Sequence, residues 1–340
     1  MKVLVTGGAG VLGINLVRRL AESGHEVTSL DVVPGAGAHR DVVGDIRDAG
    51  LVRDLTRGAE AVVHCAAALP SHSAEEIRSV DVGGTRTVLE AARRNGVERF
   101  VHLSSTAVYG LPERRPTPEN HSLDAVDPYN RAKIAAEAIC AEFRADGMCV
   151  PVLRPKTFLG PQRLGIFAML FEWAQEGRSF PVLGSGDVRC QMLDVDDLCD
   201  AVLAAMTGPA AQVGDTFNVA ATRFTTLREE FQSVLDAAGH GGRVVSVPVR
   251  PALGALRVLE VLRLSPVYQR LAHKLTEDSF VCTEKAERVL GFAPKYSNVD
   301  SLLRTYEWYR EHVWTRKVHS GRSHRDPWRQ GALRLAKALF

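Results

Sequence analysis

A glycine-rich turn near the start of the chain constrains its fold most strongly. Residues 6–13 read TGGAGVLG, between a short apolar segment at Val3–Thr6 and a segment of helical periodicity at Val11–Glu22. Glycines in a strand-to-helix turn let the backbone approach a pyrophosphate, and the N-terminus of the helix stabilises the charge of that group. The strand before and the helix after the turn make the match specific. The turn therefore predicts a dinucleotide-binding site.

An acidic residue at the end of the next strand indicates which dinucleotide is bound. Asp31 follows the apolar segment Glu26–Leu30, eighteen residues after Gly13. A carboxylate at this point can accept hydrogen bonds from the ribose hydroxyls of the adenosine, and it would repel the 2′-phosphate of NADP. We therefore expect NAD as the cofactor. Three arginines could weaken this preference, namely Arg18, Arg19 and Arg40.

Strand and helix patterns alternate through the first half of the chain, which predicts a parallel sheet with helices on both faces. The strands are expected at Val3–Thr6, Glu26–Leu30, Ala61–Cys65, Arg99–Leu103, Cys149–Leu153 and Thr216–Val219. The helices are expected at Val11–Glu22, Asp54–Arg57, Glu75–Asn95, Tyr129–Ala145, Ile166–Glu176, Val195–Met206, Leu227–Ala238 and Val299–Val313. The fold class is therefore α/β, a Rossmann-type doubly wound parallel sheet with a smaller, mixed α/β C-terminal region.

The composition along the sequence suggests how the chain is divided into domains. We expect residues 1–154 to form an NAD-binding domain to which residues 195–220 return. Residues 155–194 and 221–314, where Gly and Pro become frequent, are expected to bind substrate. Residues 315–340 hold seven Lys or Arg and one Asp, interleaved with apolar side chains. This basic amphipathic tail could lie on a membrane surface, although a docked or disordered terminus is the simpler interpretation.

Charge and cysteine content exclude several classes of function. A net charge of +2 over 340 residues does not favour nucleic acid as a partner. The six cysteines form no C-x-x-C pair and no zinc-ligand spacing, which indicates free thiols in a reducing compartment and no bound metal. The chain opens directly into a strand and contains no run of about 18 apolar residues. We therefore expect a cytoplasmic location.

A tyrosine and a lysine four residues apart predict acid–base chemistry. Tyr129 and Lys133 fall in a helical segment, where this spacing places both side chains on one face. The cation favours the phenolate form of the tyrosine, which can take a proton from an alcohol as hydride leaves for a nicotinamide. A tyrosine beside a lysine is common by itself, but Ser104 and Ser105 add weight because they end the strand Arg99–Leu103. Ligands of α/β sheets bind at such strand ends.

Together these residues resemble the NAD-dependent epimerase/dehydratase family, a branch of the extended short-chain dehydrogenases/reductases. The resemblance covers residues 1–200, and its general pattern continues to about residue 313. The matching positions, in order, are the glycine turn, Asp31, Gly44-Asp45-Ile46, His64-Cys65-Ala66-Ala67, Gly84-Thr85, Ser104-Ser105, Tyr129, Lys133, Arg154-Pro155, Arg189 and Asp194–Leu198.

The resemblance implies a role for each matching residue. Ser105 would hydrogen-bond the reacting oxygen, Tyr129 would be the base and Lys133 would bind the nicotinamide ribose, so these three form the expected catalytic set. Asp45 and Ile46 would contact the adenine. The full set expected to bind the cofactor is Gly7, Gly10, Val11, Leu12, Gly13, Asp31, Asp45, Ile46, Cys65, Ala66, Ala67, Ser104, Tyr129, Lys133 and Pro155.

The residues that follow Ser105 favour epimerisation within this family. Family 4,6-dehydratases carry Asp-Glu directly after the catalytic Thr for acid–base elimination, whereas this chain has Thr106 and Ala107. The stretch SSTAVYG at 104–110 resembles sugar 4-epimerases, in which a hydroxyl is oxidised, the ketone turns over and hydride returns to its opposite face. The resemblance therefore implies C4 epimerisation of a nucleotide-activated sugar, and a homodimer built on the helices at 75–95 and 129–145.

Substrate contacts are expected at His72, Ser105, Thr106, Thr157 and Arg189. Arg189 aligns with an arginine that binds the nucleotide diphosphate in such epimerases, with a surface ion pair as the alternative. Two positions depart from the family pattern, since Thr157 falls where many epimerases place a phosphate-binding Asn, and Asp81 replaces the usual Asn of an N-x-x-G-T motif. His72 lies on a loop after a strand, where a solvated side chain is the simpler interpretation.

Two further functions stay open on the sequence alone. The apolar stretch at 164–171 is either helix core or a pocket for an apolar group. In the second case the chain would be a net NAD-dependent dehydrogenase or reductase of an apolar alcohol, such as a sterol or a lipid-linked sugar. A non-catalytic, NAD-binding regulatory protein is the third possibility, which the intact Ser105, Tyr129 and Lys133 argue against.

Overall fold

The computed structural model describes residues 1–35, 37–162, 164–165, 167–254 and 277–314. It divides into two units. The first unit comprises Met1–Lys156, Val195–Ala220 and Val281–Ala293. The second unit comprises the described residues within Thr157–Asp194, Ala221–Phe280 and Pro294–Phe340. The prediction for the tail at 315–340 lies outside the described residues.

Short apolar segments form the strands of both units. In chain order the strands are β1 (Lys2–Thr6), β2 (Glu26–Asp31), β3 (Arg40–Val43), β4 (Ala61–His64), β5 (Arg99–Leu103), β6 (Val152–Pro155), β7 (Phe158–Leu159), β8 (Phe180–Leu183), β9 (Leu193–Asp194), β10 (Thr216–Val219) and β11 (Val244–Val247).

Seven of these strands build one sheet in the first unit. Their order is β10-β6-β5-β4-β1-β2-β3, and every neighbouring pair is parallel. All four residues of β4 are buried, as expected for a strand covered by helices on both faces. The predicted fold class is therefore confirmed, and the carboxyl ends of β1, β4 and β5 share one edge of the sheet.

Helices alternate with the strands along the chain. They are α1 (Val11–Glu22), α2 (Ala49–Thr56), α3 (Ala74–Ile77), α4 (Thr85–Arg94), α5 (Pro128–Ala145), α6 (Phe167–Gln175), α7 (Val195–Thr207), α8 (Ala210–Val213), α9 (Leu227–Ala238), α10 (Glu284–Leu290) and α11 (Asn298–Tyr309). Two π-helical segments, Arg78–Gly84 and Arg310–Trp314, continue helical runs.

Local sequence signals fix where α5 begins. The Asp127 side chain accepts a hydrogen bond from the Asn130 backbone N–H at 2.7 Å, and Pro128 occupies the first helical position. A capping carboxylate and a proline at this point are both favourable, because the first N–H groups of a helix have no partner within it. The start at Pro128 places Tyr129 in the first turn of α5, at the edge of the first unit's sheet.

The long helix predicted at Glu75–Asn95 is observed as one helical run at residues 74–94. Within it, the π-helical segment Arg78–Gly84 joins α3 to α4, and the Thr85 hydroxyl donates to the Asp81 carbonyl at 2.6 Å. A π turn adds one residue and shifts the face that later residues present. The prediction gave the position of the helix but not this added residue, which an apolar periodicity of 3.6 does not reveal.

Proline and an exposed edge explain two differences among the strands. The strand predicted at Cys149–Leu153 is observed as β6, three residues later. The carbonyls of Cys149 and Pro151 accept from β5 N–H groups at 3.0 and 2.8 Å, but Pro151 has no N–H to donate and a regular ladder starts only after it. The edge strand β3 was missed because its residues are mostly exposed and carry no apolar run.

The second unit packs around aromatic side chains of α6. Phe167, Phe171 and Trp173 are buried with Tyr306 and Tyr309 of α11, and the Phe171 and Tyr306 ring centroids lie 5.7 Å apart. Together with Leu164, Ala168 and Leu170, these side chains belong to one core cluster. The stretch at 164–171 is therefore helix core at its described positions, and the alternative of an apolar pocket there is not supported.

A buried carboxyl group links three parts of the second unit. Glu230 of α9 is 0% exposed, and its Oε1 accepts from the Thr225 N–H and from Asn298 Nδ2, each at 2.9 Å. Asn298 also accepts from the Met192 N–H at 2.9 Å. Glu230 Oε2 has no hydrogen-bond partner among the described residues. Burial raises the pKa of Glu230 to about 7.

This raised pKa predicts a loss of stability as pH rises. Below the ordinary pKa of 4.5 the carboxyl is protonated in both folded and unfolded chains. Between there and about pH 7 the unfolded chain ionises first, so the free energy of unfolding falls by roughly 3 kcal/mol through this group. Glu230→Gln is expected to remove that slope in urea titrations at several pH values. Glu307→Gln, on the exposed side of α11, is the control, and equal slopes in both variants would contradict the prediction.

Candidate active site

The glycine turn forms a close approach between backbone segments. Gly7 has φ of +71°, and a Cβ built on it would lie 2.6 Å from the backbone nitrogen of Ala66. A Cβ on Gly13 would collide with the backbone of Gly7 and Gly8. The first turn of α1 carries no acidic residue, so its free N–H groups are suited to an anion. These are the features that a bound pyrophosphate requires.

A cleft of about 210 Å³ opens beside this turn within the first unit. We call it the nucleotide cleft, and its lining residues are Gly7, Gly10, Leu30, Asp31, Val32, Gly44, Asp45, Ile46, Arg47, Cys65, Ala66, Ala67, Ala68, His72, Glu76 and Val80. Many of the predicted cofactor residues thus meet at one place. Residues from the ends of β1, β2, β3 and β4 surround the cleft, where α/β sheets bind ligands.

Asp31 lies at the end of β2 and faces the glycine turn. Its Oδ2 accepts from the Ala9 N–H at 3.0 Å and its Oδ1 from the Val33 N–H at 3.2 Å. Two of the arginines that could have favoured NADP are engaged elsewhere, because Arg18 and Arg19 form ion pairs with acids of α7, at 3.9 and 2.6 Å. The glycine cradle and this carboxylate fit the adenosine diphosphate portion of NAD.

Tyr129 and Lys133 lie together at the end of β5. Lys133 is 3% exposed, and its Nζ lies 5.8 Å from the centroid of the Tyr129 ring. The same Nζ donates to the carbonyl oxygen of Leu103, the last residue of β5, at 3.2 Å. The lysine therefore joins the first turns of α5 to the carboxyl end of the sheet, as the i, i+4 spacing predicted.

Asp81 supplies the negative charge that this buried ammonium needs. Burial by itself would lower the pKa of Lys133, but the nearby Asp81 carboxylate, followed by Tyr129, holds it above the ordinary value. Asp81 is 1% exposed and its Oδ1 accepts from the Ala68 N–H at 2.8 Å. Burial raises the pKa of Asp81, whereas Lys133 opposes that shift. The replacement of the family's Asn by Asp thus places a charge partner beside Lys133.

Ser105 occupies the turn between β5 and a short 3₁₀ helix, Thr106–Tyr109. Its Oγ accepts a hydrogen bond from the Ala107 N–H at 3.1 Å, so its own proton is free for another acceptor. Thr106 is tied to β6, because its hydroxyl donates to the Pro155 carbonyl at 3.3 Å. Both residues stand at the same sheet edge as Lys133.

A buried chain of hydrogen bonds connects His64 to Thr6 and Thr85. The Thr85 hydroxyl donates to a carbonyl and therefore accepts from His64 Nε2 at 3.0 Å, which leaves His64 Nδ1 to accept from the Thr6 hydroxyl at 2.7 Å. Burial, with a smaller effect of the Lys133 charge, lowers the pKa of His64 to about 3. The imidazole is therefore neutral and fixes β1, β4 and α4 against one another.

A second buried network anchors α5, which carries Tyr129 and Lys133, to the sheet. Arg154 Nε donates to Glu137 of α5 at 2.9 Å, and its Nη1 donates to the Tyr109 hydroxyl at 2.7 Å. The Tyr109 hydroxyl then donates to Asn218 Oδ1 of β10 at 2.8 Å. Ser104, expected beside the cofactor, donates its hydroxyl to Glu137. This network joins β5, β6, β10 and α5 behind the site.

The expected substrate contacts fall in different parts of the chain. His72 is exposed and lines the nucleotide cleft. Thr157 and Arg189 belong to the second unit. The Arg189 guanidinium pairs with Asp278 at 2.7 Å and lies 5.0 Å from the centroid of the Phe280 ring. This arrangement matches the ion pair that the sequence left as an alternative.

The thiols and acids of the described residues show no metal chemistry. No group of three or more His, Cys, Asp or Glu in the described part of the chain could hold a metal ion. All six cysteines are free, and burial raises the pKa of Cys65 in the nucleotide cleft to about 12. No described helix combines the length and apolar character needed to cross a lipid bilayer.

Sequence reasoning missed two residues that shape the site. Glu137 follows Lys133 by four residues, and this spacing on a helix could have identified it as a neighbour on the same face. Arg47 follows the expected adenine contacts Asp45 and Ile46, but its partners Glu76 and Ser79 are about thirty residues away in sequence. No local pattern could have predicted that contact.

Comparison with known proteins shows which family the chain matches. Residues 3–220 match the model of the NAD dependent epimerase/dehydratase family. The uncharacterized protein y4nG of Sinorhizobium fredii is 34% identical, over 98% of this chain and 84% of that protein. A dTDP-glucose 4,6-dehydratase of Streptomyces niveus is 30% identical, over 94% of this chain and 96% of its own length.

A solved structure shows the same fold. The crystal structure of UDP-glucose 4-epimerase from Thermotoga maritima, with UDP-glucose, superimposes with a TM-score of 0.76 at 25% identity. The alignment covers 92% of this chain and 100% of that one. With the glycine cradle, Asp31 and the Tyr129–Lys133 pair in place, the chain belongs to the NAD-dependent epimerase/dehydratase family and is an enzyme with NAD as its cofactor.

Proposed function

We propose that this enzyme epimerises C4 of a nucleotide-activated sugar through a transient ketone. One observation carries the proposal, namely that Lys133 of α5 reaches both the Tyr129 ring and the carbonyl at the end of β5. Ser105 lies two residues after that strand end. These positions support a base, a cation and a hydroxyl donor at the edge of the sheet where the nucleotide cleft also opens.

The residues of this chain have distinct tasks in the proposed reaction. Tyr129 takes the proton of the substrate hydroxyl, while Ser105 donates its free proton to the same oxygen and holds it in place. Lys133 stabilises the phenolate of Tyr129 by its positive charge. Bound NAD supplies the acceptor and later the donor of hydride. When the ketone has turned over, Tyr129 returns the proton as hydride arrives at the opposite face, so the sugar is neither oxidised nor reduced overall.

The residues after Ser105 support epimerisation over elimination. The 3₁₀ helix that follows it begins with Thr106 and Ala107, and neither side chain can act as the acid or base of a dehydration. Thr157 is kept as a proposed substrate contact, and Arg189 as a proposed contact to the nucleotide diphosphate. For Arg189 this requires an exchange of Asp278 for the diphosphate, which a half-exposed ion pair permits at small cost.

An assay for NADH release separates epimerisation from net oxidation. The enzyme is incubated with UDP-glucose and, separately, with dTDP-glucose, the sugar nucleotides named for its relatives. We expect the C4 epimer to form without net NADH and without a dehydrated product, as separated by chromatography. Stoichiometric NADH would instead establish the dehydrogenase alternative, and a 4-keto-6-deoxy product would establish a dehydratase.

Two further expectations, one from the resemblance and one from the composition of the tail, stay predictions. A homodimer would double the mass measured by light scattering, and the exposed small side chains Ala138 and Ala141 on α5 leave room for a second helix there. Membrane contact through residues 315–340 would be lost from a liposome sedimentation assay when that tail is removed.

A further inference from the structure

Arg47 is held across the rim of the nucleotide cleft by acids from two segments. Its Nε donates to both carboxylate oxygens of Asp45 at 3.0 Å, and its Nη2 donates to Asp45 Oδ2 at 2.6 Å. Its Nη1 donates to Glu76 at 3.1 Å and to Ser79 at 3.2 Å. The guanidinium therefore bridges the loop after β3 to the helical run after β4.

These contacts use four of the five N–H groups of Arg47, since Nε donates to Asp45, Nη1 to Glu76 and Ser79, and Nη2 to Asp45. Such bonds lie in the plane of the guanidinium, so one Nη2 N–H and both flat faces of the cation are left. The side chain still lines the nucleotide cleft and is 37% exposed. The flat face of a guanidinium binds aromatic rings.

The surroundings of Arg47 match an aromatic base and not a phosphate. Asp45 and Glu76 neutralise the positive charge, and hydrogen bonds from Arg47 are the first cause that lowers the pKa of Asp45 and keeps it a carboxylate. Val32 lines the same cleft and is 65% exposed, so it offers an apolar surface for the base. Both residues line the same cleft as Asp31, the proposed ribose contact.

We propose that the face of the Arg47 guanidinium binds the adenine ring of the cofactor, with Val32 as the apolar contact of that ring. Asp45 then has two tasks, because it holds Arg47 flat and presents an acceptor edge beside the base. This role concerns the adenosine end of NAD, so its test does not depend on the reaction proposed above.

Binding of cofactor fragments tests the proposal without any assay of turnover. After removal of bound NAD, the affinities of AMP and of ribose 5-phosphate are measured by calorimetric competition against ADP-ribose. We expect Arg47→Lys and Arg47→Gln to weaken AMP binding by about 3- to 30-fold, the range of cation–aromatic contacts. Ribose 5-phosphate, which has no base, should bind to both variants as it binds to the native enzyme.

Matched variants separate a ring contact from a loss of charge or of folding. Arg57→Gln removes an exposed arginine of the same region, paired with Asp54 at 3.2 Å, and should leave both affinities unchanged. Arg47→Lys keeps a cation for Asp45 and Glu76, so its thermal unfolding should stay close to native. The proposal is overturned if AMP affinity is unchanged in Arg47→Gln, or if AMP and ribose 5-phosphate weaken by the same factor.

Discussion

Replacing Tyr129 with Phe is expected to lower kcat by about 10²- to 10⁴-fold, the contribution usual for a positioned acid–base group. The phenol oxygen is the only atom lost, and the ring beside Lys133 stays in place to support α5. NAD content and thermal unfolding should therefore stay near native. The loss of kcat is measured from turnover at a saturating concentration of the substrate. The substrate is the sugar nucleotide identified in the NADH assay.

A second tyrosine variant serves as the control for this prediction. Tyr306 of α11 donates its hydroxyl to Gln175 at 2.9 Å in the core of the second unit, so Tyr306→Phe loses one hydroxyl far along the chain from the proposed base. It should retain most of the native kcat. If Tyr129→Phe turned over as fast as Tyr306→Phe, the proton would be taken by another group and the regulatory alternative would regain support.

Arg154→Leu is expected to reduce the free energy of unfolding by about 3–5 kcal/mol, because it leaves the Glu137 carboxylate buried without its cation. The side chains of Arg154 and Glu137 are 6% and 8% exposed. The Tyr109 hydroxyl and the Glu119 carbonyl lose a donor at the same time. Urea unfolding monitored by fluorescence and circular dichroism measures the loss.

An exposed ion pair on the same helix provides the matched control. Arg86 of α4 pairs with Glu142 of α5 at 2.9 Å, with side chains 44% and 57% exposed. Arg86→Leu should cost less than about 1 kcal/mol, since water solvates the remaining carboxylate. The double variant Arg154→Leu with Glu137→Leu should recover much of the loss. Equal losses of unfolding free energy in Arg154→Leu and Arg86→Leu would contradict the prediction. They would show that burial does not determine how much the Arg154–Glu137 pair contributes to stability.

The strands of the central sheet could be predicted because each is a short apolar run between turn signals. The strands predicted at Arg99–Leu103 and Thr216–Val219 coincide with β5 and β10. The helix predicted at Val11–Glu22 coincides with α1. The long helix at 75–95 was predicted in place, but the π turn within it was not. In that segment Asp81 accepts from the Ala68 N–H, thirteen residues earlier in the chain, and an apolar pattern does not reveal such a contact.

The proposed catalytic set could be assembled from the sequence for a different reason. Tyr129 and Lys133 are joined by helical spacing, and Ser105 is joined to them by the rule that ligands meet strand ends. Arg47, Glu137 and His64 gain their roles from partners distant in sequence. The sequence shows that such polar residues exist, but which buried partner each one finds depends on the packing of the complete sheet.

The order of the two units along the chain has a consequence for biosynthesis. The chain changes unit after Lys156, Asp194, Ala220, Phe280 and Ala293, so neither unit corresponds to one continuous stretch. While the polypeptide emerges from a ribosome, the outer side of β6 stays unpaired until Thr216–Val219 has been translated. An open strand edge of this kind invites association between nascent chains, and expression at low temperature or with chaperones should therefore improve the yield of folded enzyme.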